Sequence, residues 1–214
     1  MDENPELAAH YGVQGIPAVK AFRNGRVVGE FVGAQPEPAV RKFLKQIAPN
    51  EADQTLERAA DLLAAGRAAE AEVAYRRIQS GAPDHPVARL GLVRALLAQG
   101  KGQAAERLLE GFPESREKVT AEKLSPLAQL ITESLSGDSH DDAHRLDSLY
   151  HRAGQLAAQA NFPAAMDELL QILRQDKRYR QGQPRQVMLA IFELWGQDGP
   201  LTREYRNKLA SVLF

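Results

Sequence analysis

The chain contains no cysteine. That absence excludes disulfides, thiolate zinc sites, cysteine nucleophiles and any dithiol redox cycle carried by these residues alone. An excess of one charge is also lacking. The 27 basic and 28 acidic residues leave a formal net charge of -1, so no global field draws the protein toward nucleic acid or an anionic membrane. No hydrophobic run approaches the roughly 20 residues needed to cross a bilayer. The opening Met1-Asp2-Glu3-Asn4 has neither the basic nor the apolar part of a signal peptide, so a cytoplasmic location is expected. What is present, 43% hydrophobic and 26% charged over 214 residues, is ordinary for a globular chain of one or two domains.

Two segments differ in their punctuation. The first fifty residues carry five Gly (12, 15, 25, 29, 33) and five Pro (5, 17, 36, 38, 49), spaced as turns between short elements. Asn4-Pro5-Glu6 opens a short helix that Gly12 ends. Ala18–Phe22 and Val27–Val32 read as strands joined by Asn24-Gly25, the pair that favours a two-residue hairpin. Pro36-Glu37-Pro38 opens a second helix with Val40, Phe43, Leu44 and Ile47 on its apolar face. The order is helix, strand, strand, helix, with a boundary near residue 49: residues 1–48 form one domain and 49–214 another.

Beyond Pro49 the chain is Ala- and Leu-rich and repeats itself. A shift of 34 positions lays Pro49 on Pro83, Leu62-Leu63-Ala64 on Leu96-Leu97-Ala98, Gly66 on Gly100 and Ala71-Glu72 on Ala105-Glu106. Thirty-four is the tetratricopeptide period, a stack of helix pairs. In each unit Leu62 and Leu63 end the first helix, Gly66 turns the chain, Ala71 permits close approach, and Tyr75 with Ile78 fills the gap. Residues 49–82 and 83–116 are thus clear repeats, and 113–141 reads as an irregular insertion. Residues 142–214 hold a degenerate copy, Leu156…Ala160-Asn161-Phe162…Ala165…Leu169…Ile172, and a closing pair over 184–195 and 201–213 in which Trp195 is expected in the core. The fold class expected is mainly α, a helical-repeat domain preceded by a small α-β-β-α unit.

Asn4-Pro5-Glu6-Leu7-Ala8, Tyr11-Gly12-Val13-Gln14-Gly15-Ile16-Pro17-Ala18, Phe22-Arg23-Asn24-Gly25 and Phe31-Val32-Gly33-Ala34 together resemble the carboxy-terminal half of a thioredoxin domain. The resemblance implies that Pro17 is cis and faces a redox centre, and that Ile16, Pro17, Gly33 and Ala34 line a groove where an extended polypeptide docks by strand pairing. A half thioredoxin followed by tetratricopeptide-like repeats, ending in Glu204-Tyr205-Arg206-Asn207-Lys208-Leu209-Ala210-Ser211, resembles the bacterial thioredoxin-like co-chaperones of the chaperedoxin type. That family carries a preceding half with Cys-x-x-Cys, or a degenerate form of it, and the strands that complete the sheet. Neither stands in this sequence. The half could have been removed, lie upstream of a mis-assigned start, or be absent from a natural short form whose hairpin leans on the repeats or on a second protomer. The resemblance therefore implies a partial thioredoxin fold, and the exposed partial sheet invites a homodimer.

Two further clusters carry readable chemistry. His140 and His144, within Asp138-Ser139-His140-Asp141-Asp142-Ala143-His144, have the spacing to share a Zn²⁺ on one helix face. The alternative, a solvated loop whose Asp and Ser cap the following helix, is the reading adopted, so neither metal nor cofactor is expected. Arg174, Lys177, Arg178, Arg180 and Arg185 form a basic cluster at a helix end, where Arg174 and Arg178 suit an acidic partner and the helix dipole alone also favours cations. No aromatic residues interleave with it to stack bases, so nucleic acid is not expected. With no nucleophile elbow, phosphate loop or His-Glu-x-x-His, the expectation is a non-enzyme. The function expected is a co-chaperone or holdase module that binds unfolded clients or a folding chaperone through its repeats. The alternative is a thiol–disulfide oxidoreductase whose dithiol half is missing.

Overall fold

A computed structural model describes residues 5–13, 15–23, 26–48, 51–135, 145–196 and 199–213. The chain divides into two compact units, residues 1–51 and 52–214.

In the first unit α1 (Pro5–His10) stops at Gly12, whose φ of +64° suits glycine. The strands β1 (Ala18–Arg23) and β2 (Arg26–Val32) pair antiparallel, Ala18 with Val32 through Ala21 with Gly29, before an irregularity shifts the register so that Phe22 faces Val27. Asn24-Gly25 lies outside the described residues. Helix α2 (Glu37–Ile47) packs on β2 where Gly29 leaves room: a Cβ there would stand 2.8 Å from Ile47 Cγ2 and 2.9 Å from Phe43 Cε2. Phe43 also meets Phe31 edge to face at 5.0 Å. Of the four residues expected on the apolar face of α2, Leu44 departs, being 54% exposed. The contact is centred on Phe43 and Ile47, and one helix against a two-stranded sheet is too narrow to cover a third column. Among the described residues, no side chain of this unit is buried.

The second unit is all helix. The pairs α3 (Glu51–Ala64) with α4 (Ala68–Gly81), and α5 (Pro86–Leu97) with α6 (Gly102–Leu109), are followed by α7 (Arg116–Leu135). Then come α8 (Arg145–Ala158) with α9 (Phe162–Gln175), a 3-10 turn (Tyr179–Gly182), and α10 (Gln183–Trp195) with α11 (Pro200–Leu213). Three of the pair turns share one hydrogen-bond pattern. Arg67 N–H donates to Leu62 O, Lys101 N–H to Leu96 O and Asn161 N–H to Leu156 O, each at 2.9–3.0 Å. This is the helix-ending motif that requires a left-handed residue. Gly66 supplies it at φ +75°, Gly100 at +71° and Ala160 at +57°. After each turn Ala71, Ala105 and Ala165 are fully buried, so the second helix of each pair approaches closely.

The stretch read as an irregular insertion is, over residues 116–135, one continuous helix and the longest among the described elements. The 34-residue shift missed it because α7 is longer than the repeat helices and carries Pro126 inside it. It packs against α5, α6, α8 and α10. Small residues let it: at Gly102 a Cβ would lie 2.6 Å from Ile131, and at Gly154 2.5 Å from Ser134. Leu124, Leu127, Ala128, Leu130 and Ile131 are consequently buried. Trp195 is half-buried at the core's edge, with its ring 6.2 Å from that of Phe162.

Candidate functional site

Two sets of residues are candidates, one in each unit. In the first unit the chain bends at Ile16 and Pro17 into β1, and the Ile16–Pro17 peptide is cis. Gly33, just past β2, donates its N–H to Pro17 O at 2.8 Å with φ +89°, so the two strand ends close on each other. This brings Ile16, Pro17, Gly33 and Ala34 to one end of the hairpin. Ile16 is 79% exposed and Val32, the residue before Gly33, 65%. Phe22 is half exposed and touches Tyr11, ring to ring at 5.0 Å. Lys20 and Glu30, cross-strand neighbours, form an ion pair. The arrangement offers apolar side chains at the end of the hairpin where the two strands close.

In the second unit the basic cluster separates by role. Arg174 and Arg178 are exposed, Arg174 in the last turn of α9 and Arg178 in the loop after it. Lys177 Nζ instead donates to Leu213 O at 2.9 Å, closing the end of α11. Arg180 is absorbed into the structure. Its guanidinium lies 4.7 Å from the centre of the Tyr150 ring and 5.8 Å from that of Tyr179, and reaches Glu133 at 3.2 Å and Asp147 at 3.5 Å. Tyr179 donates its hydroxyl to Asp147. Burial, with the negative charge of Glu133, pushes the Tyr150 phenol up to about 12; burial and the hydrogen bond to Asp147 push Tyr179 higher still. Both stay neutral donors. The sequence showed the cations of this cluster but not the partners of Arg180, whose carboxylates Glu133 and Asp147 stand 47 and 33 residues before it.

Arg94 of α5 and Lys123 of α7 converge on Glu193 of α10, at 3.3 and 3.7 Å, tying three helices together. Between α6 and α7 a cavity of about 220 Å³, lined by Glu106, Leu109, Glu110, Ser125 and Gln129, has room for a side chain rather than a domain. Among the described residues no group of three His, Asp or Glu is placed to hold a metal, and no helix is long and apolar enough to cross a membrane. His140 and His144 lie outside the described residues.

Comparison with known proteins accords with these units. The thioredoxin family model matches residues 1–46, and two tetratricopeptide repeat models match 62–122 and 124–214. The thioredoxin of Chlorobaculum thiosulfatiphilum is 40% identical over 46 residues, 22% of this chain and 43% of that protein. The mitochondrial thioredoxin of Mus musculus is 40% identical over 47 residues, 28% of its length. Uncharacterized proteins of Mycobacterium tuberculosis and Mycobacterium bovis align with all of this chain at 24% identity. The chain spans 66% of the length of these last relatives. The chain is a thioredoxin-domain fragment followed by tetratricopeptide repeats.

Proposed function

We propose that this chain is a cytoplasmic co-chaperone module of the holdase type, redox-inactive in itself, which binds unfolded clients or a folding chaperone. Tetratricopeptide repeats suit protein partners in general. The observation that carries the finer reading is the apolar surface of the first unit. Leu7, Ile16, Phe22, Val32 and Leu44 are each half or more exposed, and exposed large apolar side chains of this kind suit contact with another polypeptide. In this reading Ile16, Pro17, Gly33 and Ala34 grip an extended client segment, while Arg174 and Arg178 meet carboxylates of a chaperone partner.

The test is light scattering of a heat-denatured client without ATP. Equimolar protein should suppress aggregation. Ile16→Asp with Val32→Asp should abolish suppression while leaving the helical circular dichroism intact. Undiminished scattering at several-fold molar excess rejects the reading. Pull-down with the Arg174→Glu, Arg178→Glu variant separates the two roles, since partner capture should fall while holdase activity stays.

A second reading, a thiol–disulfide oxidoreductase lacking its dithiol half, draws on the thioredoxin match over residues 1–46. Such chemistry needs a thiolate, and the sequence has no cysteine. Insulin reduction by this chain alone should stay at background.

A further inference from the structure

We infer that the loop joining α9 to α10 is a preorganised receptor for an acidic segment of a partner polypeptide. Arg174, Arg178 and Arg185 meet its carboxylates, and Asp176 and Arg180 hold those arginines in place. The inference rests on the reading that Arg174 and Arg178 bind a partner, and adds to it a third contact, the frame of the site and the chemistry of the occupant.

Arg174 lies in the last turn of α9, Arg178 in the loop and Arg185 in the first turn of α10, so the three share one end of this helix pair. Each is exposed, and among the described residues none is engaged by a carboxylate of this chain. The helix dipole accounts for Arg174, a cation at a carboxy-terminal turn. It does not account for Arg185, which stands at the positive end of α10, where a cation is disfavoured. A carboxylate bound between these side chains offsets that repulsion, and planar guanidinium groups pair with carboxylates in bidentate geometry.

The loop is fixed at three points. Asp176 Oδ1 accepts the backbone N–H of Arg178 at 2.8 Å, a side-chain turn that sets the direction in which Arg178 leaves the helix end. Lys177 Nζ is tied to Leu213 O. Arg180 is held by the rings of Tyr150 and Tyr179 and by the carboxylates of Glu133 and Asp147. This last anchor carries three successive residues of positive φ, Arg180, Gln181 and Gly182. Such strain persists only where surrounding contacts over-determine it, and it recurs at ligand clamps. Exposed arginines in a mobile loop bind carboxylates weakly; a loop ordered beforehand loses less freedom on binding. An aspartate among these arginines would by charge alone oppose an acidic partner, and the turn it makes at Arg178 explains its place. The rings nearest the loop are engaged by Arg180 and so do not present a stacking platform for bases. No large apolar side chain is exposed between residues 174 and 186 to enter a membrane, which leaves an acidic polypeptide as the occupant.

A short fluorescein-labelled peptide of alternating glutamate and glycine, titrated with the full chain at low salt and followed by anisotropy, tests this against its glutamine counterpart. The parent should bind the first and not the second. Arg185→Glu should weaken binding about fivefold, the reversal of one exposed charge contact. Positioning is separated from charge by the sign of the effect. Asp176→Ala removes a negative charge, which by electrostatics alone tightens binding to an anion, yet it should weaken binding about threefold because Arg178 loses its turn. Asp176→Asn removes the same charge but keeps the acceptor, and should bind at least as tightly as the parent. Arg180→Lys keeps its charge and loses the planar stack, and should also weaken binding about threefold. Circular dichroism at the binding temperature checks that each variant is folded.

A parent that ignores the glutamate peptide overturns the inference, as do Asp176→Ala and Arg180→Lys variants that both bind like the parent. Arg174→Glu with Arg178→Glu tests the underlying reading separately. If that pair leaves binding intact, the reading itself fails. If it abolishes binding while Arg185→Glu and the positioning variants leave it unchanged, the reading stands and the inference fails. A single-stranded DNA of matched charge that displaces the peptide at lower concentration makes a nucleic acid the occupant and likewise overturns the proposal.

Discussion

The ring of Tyr75 on α4 occupies the space that a side chain at position 91 of α5 would need. A Cβ built on Gly91 would stand 2.3 Å from Tyr75 Cε1 and Cζ, far inside contact distance. Tyr75 is itself buried, and the contact joins the first repeat to the second. Gly91→Ala should therefore destabilise the protein by about 1–3 kcal/mol through overpacking, despite the better helix propensity of alanine. Chemical denaturation measures it. In a Tyr75→Leu background the same substitution should cost at least about 1 kcal/mol less, because the ring that obstructs it is gone. Equal costs in both backgrounds would show that the two residues do not meet.

Ala160 performs the task of Gly66 and Gly100 with a side chain that resists it. Its φ is +57°, where an L-residue other than glycine is strained, and it is exposed, so a missing methyl leaves no cavity. Ala160→Gly should raise stability by about 0.5–1 kcal/mol, the relief of strain exceeding the added entropy of the unfolded chain. A thermal melt shifted upward by a few degrees is the expected record. Gly66→Ala and Gly100→Ala should lower it, Gly100 more, because a Cβ there would also lie 2.0 Å from Ala158 O.

That third turn shows how much of the fold could be read in advance. The shift of 34 found two repeats because their turns use glycine, and the third was legible through Asn161 and the spacing of Leu156, Ala165 and Leu169. What the shift could not find was α7, whose burial depends on Gly102 and Gly154 in the helices flanking it, contacts that leave no mark at a period of 34. Likewise the candidate residues Ile16, Pro17, Gly33 and Ala34 were nameable from their motif, and the Gly33 to Pro17 hydrogen bond brings them together. Arg180 was nameable only as one cation among five. Its partners Glu133, Asp147, Tyr150 and Tyr179 come from three elements, and no local spacing signals that convergence.

Glu72 links the first repeat to the second turn and carries a pH dependence. Its carboxylate accepts from Lys101 Nζ at 2.7 Å, Gln99 Nε2 at 2.9 Å and Arg76 Nε at 3.0 Å. Burial works against its ionisation, yet these three donors prevail and hold its pKa below the usual carboxylate range. A depressed folded-state pKa means that the stabilisation is complete above the unfolded value near 4.5 and disappears as pH falls through the lower folded value. Glu72→Gln should cost about 1–2 kcal/mol at pH 7, and the gap between variant and parent should close on acidification below about pH 4. Urea titrations at pH 7 and pH 3 read both. A gap that persists at pH 3 would assign the loss to shape rather than charge.

Arg180 and Gln181 both sit in the left-handed region, at φ +44° and +56°, immediately before Gly182 at +82°. Two such non-glycine residues in succession are strained, and the guanidinium explains why the first is tolerated: it is fixed between the rings of Tyr150 and Tyr179 and the carboxylates of Glu133 and Asp147. Strain and anchoring make opposite predictions for different substitutions. Arg180→Ala loses the stacking and both ion pairs and keeps the strain, and should cost about 2 kcal/mol. Arg180→Gly loses the same contacts but releases the strain, and should cost about 1 kcal/mol less than the alanine variant despite glycine's greater freedom in the unfolded chain. Arg180→Lys keeps a charge without the planar fork that stacks on tyrosine, and should fall between the parent and alanine. Urea midpoints in the order parent, lysine, alanine, with glycine above alanine, would establish the side chain as the anchor of a strained turn. Glycine falling below alanine would show that this backbone is not left-handed in solution.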